Sequence, residues 1–503
     1  MSEKEKVIKT MLGKQKRYIA FLAVFSTLAL VMLYAWYIQL TQGLFVTSLN
    51  RPVYWGLYIS NFVFLAATAA SGIAVSASVR LLGLKKFKTA ARIGEMLTIA
   101  ALIAAAFNII FDLGRPDRAI INLFIYGRYT SPFIWDLTVL TTYFFGTLVY
   151  FFVSIRPDVY EMSKHAKGFR AKFYSLLLLG YNDSIESLAL HNRIARIMTI
   201  AILPILVTFH SVLGYVFGLQ VSVAGWHSTL MAPSFIVAAV GTGLAIIILI
   251  SAFIKNLMRL KESIDNSVFL GLGKALMLFM LAEIYFTVSE SLTALYAGPI
   301  EEREAFQELI FGADMPIFWS MAIPGMVVPV LLLAIANFTR IKDNTKKLLG
   351  ITIVASMLAL AGLWIKRFLL VAPLLGITRL PIEEVHYTPT SIEWALVIGS
   401  YGVAGLVFMF LAKMIPIVEI RDIEEHKERV KGKKSLAFTA LVIGIILAAV
   451  GAYAMLVSEP EPGVRSAYEI LGGPIMLLAG IILALLSPAI YIITSKEVKL
   501  KIT

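Results

Sequence analysis

The chain has 503 residues, of which 59% are hydrophobic and 15% are charged, and its formal net charge is +13. Apolar runs of about twenty residues recur from end to end, which indicates a polytopic membrane protein rather than a soluble enzyme or a nucleic-acid-binding protein. The absence of Cys excludes iron–sulfur clusters, covalently attached haem and thiolate zinc held by this chain.

The hydropathy pattern predicts an all-α protein with about twelve membrane-spanning helices. The basic N-terminal segment leads into an apolar run of spanning length with no small-residue cleavage site, so we interpret it as a retained first helix. The predicted spans lie at about 18–40, 54–79, 93–112, 132–155, 195–219, 233–254, 268–292, 316–338, 348–370, 393–412, 435–457 and 471–494.

Most of the 45 Lys and Arg residues lie in the N-terminal segment, the even-numbered connections and the C-terminal segment. Connections rich in Lys and Arg stay on the cytoplasmic side of a membrane. We therefore predict a multi-pass protein of the plasma membrane whose N- and C-termini are both cytoplasmic. The odd-numbered connections are instead rich in Pro, Gly, aromatic residues and carboxylates. Long structured loops usually carry recognition or chemistry, so we expect the working face to be outside.

The third span ends in the sequence Asp-Leu-Gly-Arg-Pro, which begins at Asp112. Asp112 and Arg115 are three residues apart and share a helix face, while Gly114 and Pro116 end the helix and turn the chain. One interpretation is an ion pair that terminates the helix. The other is a proton-accepting carboxylate that the neighbouring guanidinium tunes.

A second acid, Asp136, lies one helical turn after Ser131 and Pro132 at the start of the fourth span. An acid near a helix N-terminus is stabilised by the helix dipole, which would explain Asp136 structurally. The alternative is a proton-handling group, because an ionisable residue at the edge of the hydrocarbon is costly to place there.

His210 is the only one of the six His that falls well inside an apolar run. A membrane haem held by two His would need a second His at comparable depth, so we expect no haem on this chain. A lone intramembrane His often forms a hydrogen bond between helices. It could equally bind a carbonyl oxygen and relay its proton.

The seventh and ninth spans also carry charged residues. Glu283 and Glu290 are two turns apart on one face of the seventh span and must face a cavity or a partner. Lys366 and Arg367 end the ninth span on the outside, where positive charge is unexpected. We expect them to pair with Glu290 or with the loop acids at positions 383 and 384.

Several segments together resemble, in sequence and in order, the NrfD/polysulfide-reductase family of membrane subunits: DLGRP, SPFIWD, HNRIARI, HSV, GWHSTLMAP, AEIYFTVSESLTALYAG and KRFLLVAP with LPIEEVHYTPTSIEW. The match covers roughly residues 50–420. It is to the long branch, which includes the membrane subunits of hydrogenase-2, alternative complex III and the sulfite-reduction-associated complex. The resemblance implies an NrfD-like domain over residues 1–420, with a ten-helix core of two four-helix bundles and flanking helices. Residues 421–503 would form a basic cytoplasmic linker and an extra C-terminal hairpin.

The resemblance also implies a function. Such a subunit has no redox centre of its own and exchanges electrons between menaquinone or menaquinol near the outer face and a docked ferredoxin-like iron–sulfur subunit. It would serve a respiratory complex of the sulfite-reduction-associated (Dsr) type in sulfur metabolism, with a multihaem cytochrome c and a haem b membrane subunit as further partners.

Quinone chemistry couples two electrons to two protons and therefore needs positioned acid–base groups. Carried onto this sequence, the family's pattern makes Asp112, Asp136 and His210 catalytic. The quinone-binding set adds their expected neighbours, which are Arg115, Arg367, Glu290, Trp226 and His227.

Two other functions fit the sequence. The first is a twelve-span secondary transporter with Glu283, Glu290 and His210 as its substrate or proton site. Transporter sites tend to lie at the bilayer midplane, whereas the polar residues here cluster near the outer boundary. The second is a purely structural membrane anchor of a redox complex, which would need no quinone.

Overall fold

A computed structural model of the chain describes residues 16–182, 184–258, 264–339, 344–377 and 385–419, together with residues 8, 11 and 341. Every regular element in these ranges is a helix. We number the α-helices in chain order: α1 (Lys16–Gln42), α2 (Leu57–Leu81), α3 (Lys88–Asp112), α4 (Pro116–Tyr126), α5 (Pro132–Ser163), α6 (Phe169–Leu178), α7 (Ile185–Gly218), α8 (Met231–Met258), α9 (Asn266–Ala297), α10 (Ile300–Phe311), α11 (Met315–Ala322), α12 (Val328–Phe338), α13 (Thr345–Gly376) and α14 (Ser391–Met414).

Ten spans in the described ranges are long and apolar enough to cross a membrane. They coincide with the first ten predicted spans, so the prediction of an all-α polytopic membrane protein is confirmed. The short helices α4, α6 and α10 connect spans. The last two predicted spans and the linker before them lie outside the described residues.

The chain divides into two compact units. In the described ranges, the first unit contains residues 16–116 and 206–419, and the second contains residues 117–205. Asp112 and His210 therefore belong to the first unit and Asp136 to the second. The two four-helix bundles stay a prediction.

Close backbone approach at glycine holds α2 against α3 in the first unit. A Cβ atom added at Gly72 would lie 2.1 Å from the backbone oxygen of Gly94, and one added at Gly94 would lie 3.0 Å from the Gly72 Cα atom. With little hydrophobic driving force between helices in lipid, small residues that allow this contact stabilise helix association.

The eighth span is interrupted by a π-helix over Ile323–Val327, between α11 and α12. At its centre, a Cβ atom on Gly325 would lie 2.4 Å from the Cα atom of Gly362 in α13. Single-turn π-helices are frequent at functional sites. Here the turn packs against α13 one helical turn before Lys366 and Arg367.

Candidate functional site

The first unit contains an ion pair between α9 and α13. Lys366 Nζ lies 2.6 Å from Glu283 Oε1 and donates a second hydrogen bond, of 2.9 Å, to Thr287 Oγ1. Glu283 is fully buried, and a buried charge in a membrane helix requires such a partner.

This pairing corrects the expectation that Lys366 pairs with Glu290. Side chains on an α-helix lean toward its N-terminus, and α13 runs from the predicted inner side outward, so Lys366 reaches the deeper of the two acids, Glu283. The alternative partners at positions 383 and 384 lie outside the described residues.

Arg367 directly follows Lys366, and successive side chains of an α-helix point about 100° apart. The Arg367 side chain therefore points toward α8, whereas Lys366 points toward α9. Its guanidinium carbon lies 4.1 Å from the centre of the Phe235 ring, and only 3% of the residue is exposed. The aromatic face offsets part of the cost of burying the cation. Arg367 is also within electrostatic reach of Glu283, Glu290 and His210.

His210 in α7 is 1% exposed and packs edge-on against Phe209, with 4.7 Å between the ring centres. Its Nδ1 atom lies 3.3 Å from the backbone oxygen of Leu206. The backbone of Ala66 in α2 is a second hydrogen-bonding neighbour of the ring, so either ring nitrogen can carry the proton of a neutral imidazole.

We refer to His210, Glu283, Glu290, Lys366 and Arg367 as the open cluster. Four buried atoms in it have no hydrogen-bond partner among the described residues: His210 Nε2, Glu283 Oε2, Glu290 Oε1 and Arg367 Nη2. An unsatisfied buried polar group costs about 1–3 kcal/mol, and native proteins therefore pair nearly all of them. The open cluster is suited to a bound molecule that both donates and accepts hydrogen bonds.

Asp112 lies in a different polar group of the first unit, at the end of α3. Its Oδ1 atom is buried and has no hydrogen-bond partner among the described residues. Tyr58 and Glu393 are within electrostatic reach of Asp112. Tyr58 OH donates a hydrogen bond of 2.6 Å to Gln39 Oε1, and Gln39 Nε2 donates one of 2.7 Å to the Phe111 oxygen.

Glu393 and Tyr387 adjoin this group and were not predicted from the sequence as site residues. Glu393 Oε2 accepts hydrogen bonds from the backbone N–H groups of Ser48, at 3.0 Å, and Thr390, at 2.8 Å, while Tyr387 OH donates to Glu393 Oε1. Thr390 and Glu393 form a capping box at the start of α14. A Thr followed three residues later by Glu is the sequence signature of that motif, so the spacing could have identified Glu393.

In the second unit, Asp136 is 8% exposed, and its Oδ1 atom has no hydrogen-bond partner among the described residues. The Ser131 side chain caps α5 by accepting a hydrogen bond of 3.4 Å from the Phe133 N–H group. Trp135 Nε1 donates one of 2.7 Å to the Tyr129 oxygen, which ties the preceding turn to the helix. Both interpretations of Asp136 stay predictions.

Trp226, Arg115 and His227 complete the predicted site residues. Trp226 is buried, its Nε1 atom donates a hydrogen bond of 2.6 Å to the Leu370 oxygen, and its ring stacks on Trp55. These contacts hold Trp226 in place, and its part in the quinone-binding set stays a prediction. Arg115 and His227 are exposed, and their part in the site stays a prediction.

Two further polar networks in the first unit join protein side chains to one another, and the first of them is closed by hydrogen bonds. In the first, Asn61 Oδ1 accepts hydrogen bonds from Tyr401 OH, at 2.6 Å, and Trp364 Nε1, at 3.2 Å. Asn61 Nδ2 donates to Asn108 Oδ1 at 3.1 Å, and Asn108 Nδ2 donates to Ser400 Oγ at 3.1 Å. We refer to these five residues as the asparagine network.

The second network is ionic and lies at the opposite end of α3. Fully buried Glu95 lies 3.0 Å from Arg80 and 3.6 Å from Arg92. Glu419, which follows α14, lies 3.0 Å from Lys88 and 3.9 Å from Arg92. Burial favours the neutral form of Glu419, but the charges of Arg92, Lys88 and Arg80 together lower its pKa below the ordinary value.

In the described ranges, no three His, Cys, Asp or Glu side chains are grouped closely enough to hold a metal ion. The open cluster offers a ligand hydrogen bonding and charge. The Arg and the imidazole can donate to ligand oxygens, and the carboxylates can accept from ligand hydroxyl groups.

The sequence profile described as "Polysulphide reductase, NrfD" matches residues 45–378. The chain is 26% identical to the C subunit of selenate reductase from Mesobacillus selenatarsenatis, with 79% of this chain and 94% of that protein covered. It is 27% identical to the putative C membrane subunit of dimethyl sulfoxide reductase from Halobacterium salinarum, with 79% and 91% covered. It is 24% identical to an Hdr-like menaquinol oxidoreductase integral membrane subunit of Archaeoglobus fulgidus, with 83% and 98% covered. The profile spans more than half of the chain, which therefore belongs to the NrfD polysulphide reductase family.

Proposed function

We propose that this chain is the quinone-interacting membrane subunit of a respiratory reductase complex and that it uses menaquinone. Relatives named as subunits of reductases, and one named as an integral membrane subunit of a menaquinol oxidoreductase, support this assignment. Within that class we favour the sulfite-reduction-associated type, on the motifs that the sequence shares with that branch.

The set of unsatisfied buried atoms in the open cluster is the observation that carries the proposal. Arg367 Nη2 is a donor, His210 Nε2 is a donor or an acceptor according to the tautomer of the ring, and both belong to side chains that are almost fully buried. A quinone carbonyl accepts hydrogen bonds and a quinol hydroxyl donates them. The residues present therefore fit both redox forms of the headgroup.

A bound quinone supplies two-electron, two-proton redox chemistry, and the side chains supply binding and proton handling. Arg367, which packs on Phe235, would donate a hydrogen bond to one headgroup oxygen. His210 Nε2 would exchange a proton with the other headgroup oxygen, while the Nδ1 contact with Leu206 holds the ring. Asp112 and Asp136 carry protons away from, or toward, the site.

The electrons pass to or from a partner, because this chain has no Cys for a cluster of its own. We propose that the partner is a ferredoxin-like iron–sulfur subunit on the extracytoplasmic face of the plasma membrane. A multihaem cytochrome c and a haem b membrane subunit would be further electron carriers of the same complex. The Lys and Arg bias supports cytoplasmic termini.

The test is binding of the quinol analogue heptyl-hydroxyquinoline N-oxide to the purified complex, followed by its fluorescence. Each of His210→Ala and Arg367→Lys removes a buried hydrogen bond to the headgroup, so we expect a roughly tenfold or greater increase in Kd, since a hydrogen bond involving a charged group contributes about 1.5–3 kcal/mol. The matched control is Thr352→Val, which removes a buried hydroxyl from α13 that bonds only within the helix.

Asp112→Asn and Asp136→Asn are expected to slow quinol oxidation by the same complex while it still binds the analogue. Unchanged quinol oxidation and unchanged analogue binding in all four variants would overturn the proposal and favour a structural anchor.

A further inference from the structure

A cavity of about 220 Å³ lies beside the end of α13 and the segment that leads into α14. Its polar lining consists mainly of Glu308, Asp314, His386 and Tyr387. Burial and the neighbouring Glu308 carboxylate raise the pKa of Asp314, although His386 opposes the shift. The cavity therefore holds groups able to accept and release protons outside the membrane spans.

Tyr387 connects this cavity with the buried interior. Its side chain lines the cavity, and its hydroxyl donates a hydrogen bond to Glu393 while accepting one of 2.9 Å from the Leu57 N–H group. Burial, with the adjacent Glu393 carboxylate, raises the pKa of the Tyr387 phenol. Tyr387 therefore keeps its proton and acts as a hydrogen-bonding relay rather than as a fixed charge.

Glu393 is the next group inward and is fully buried. Backbone N–H groups of Ser48 and Thr390 hold one of its oxygens, and Tyr387 bonds to the other. Tyr58, Asp112 and Tyr387 are titratable groups within electrostatic reach of Glu393. Glu393 therefore interacts both with Asp112, whose Oδ1 atom is unsatisfied among the described residues, and with Tyr387, which lines the cavity.

We propose that Glu393 and Tyr387 form the route by which protons pass between Asp112 and the cavity at the predicted outer face. The proposal rests on the proposed function, because the protons originate from quinol oxidation. The Asp112 O–H bond breaks and an O–H bond forms on Glu393, with a water molecule bridging the two carboxylates. The Tyr387 hydroxyl then turns from Glu393 toward the cavity, and Glu393 gives this proton to the Tyr387 oxygen as the hydroxyl releases its own proton to water in the cavity. No electrons move in these steps, since both electrons of the quinol pass to the iron–sulfur partner.

The test compares Glu393→Gln and Tyr387→Phe with the wild-type complex, purified with its partner subunits. Gln retains the side-chain oxygen that the capping box needs but cannot carry a proton. We expect both variants to oxidise a short-chain naphthoquinol about tenfold more slowly, in line with the loss of a proton-transfer group. The pH profile and the solvent deuterium isotope effect should change, while the Kd of the quinol analogue stays within about twofold of wild type.

Thr390→Ala is the structural control, because it breaks the capping box and leaves both proton carriers in place. It should lower thermal stability and keep turnover and the isotope effect. Wild-type turnover, pH profile and isotope effect in Glu393→Gln and Tyr387→Phe would overturn the route. Should Glu393→Gln not assemble, Tyr387→Phe decides alone. Failure of the wild-type complex to bind the analogue would instead overturn the proposed function.

Discussion

Two buried polar groups in the first unit use their hydrogen-bonding capacity in opposite ways. In the asparagine network, Asn61 and Asn108 bond to each other and to Trp364, Ser400 and Tyr401. In the open cluster, four atoms lack any partner among the described residues. Burial is similar in both, so burial alone does not distinguish the closed network from the open cluster.

Satisfaction of hydrogen bonds makes that distinction. A closed network stabilises the fold, and each lost member leaves an unpaired group behind. An open cluster lowers stability until a ligand or water completes it. A mutation in the asparagine network should therefore change the stability of the protein without changing its affinity for the ligand.

The largest effect is expected at the ion pair of the open cluster, between Lys366 and Glu283. Lys366→Met leaves Glu283 as a buried acid without its cation, and breaking a buried pair in this way costs about 3–5 kcal/mol. The free energy of unfolding in mixed micelles measures the loss. The double variant with Glu283→Met should recover most of it, and a double variant as unstable as the single one would refute the role given to the pair.

A smaller loss is expected in the asparagine network. Asn108→Ala removes the partner of the Asn61 amide and leaves buried groups unsatisfied, at about 1–3 kcal/mol. The same unfolding measurement applies, with the Kd of the quinol analogue measured alongside. Because this network is closed, affinity should stay at the wild-type value. Weakened binding at unchanged stability would show that the two regions are not separate.

The smallest effect concerns the ionic network at the opposite end of α3. The pKa of Glu419 is lowered in the folded protein, so the ionised carboxylate contributes stability above its ordinary pKa, about 4.5. That contribution is lost as the pH falls through the lower, folded-state value. The melting temperature of the wild type should therefore fall more steeply as the pH is lowered than the melting temperature of Glu419→Gln. Parallel pH profiles would contradict the assignment.

The sequence was sufficient to predict the spans because hydrophobicity of helical length is a local property. The ten spans of the described ranges fall where apolar runs predicted them, and the ordered motifs predicted the family. His210 and Glu283 were recognised as unusual for the same reason, since an ionisable residue in an apolar run is visible without knowledge of its neighbours.

Pairings between spans could not be predicted in this way. Lys366 and Glu283 are 83 residues apart, and choosing Glu283 over Glu290 depends on the relative depth of two helices. Glu393 was missed because its capping motif looks purely structural. Only the three-dimensional contacts show that Tyr387 links it to a cavity.

Gly325 in the π-helix and Gly362 in α13 constrain which substitutions are compatible with the buried Lys366. A methyl group at Gly325 would meet the Gly362 backbone at 2.4 Å, so the two segments would have to separate. Such a separation would shift α13 one turn before Lys366 and would disturb the geometry of its ion pair with Glu283. Relatives that retain the lysine–glutamate pair should therefore retain both small residues, and a paired exchange at these two positions should accompany loss of the charge pair.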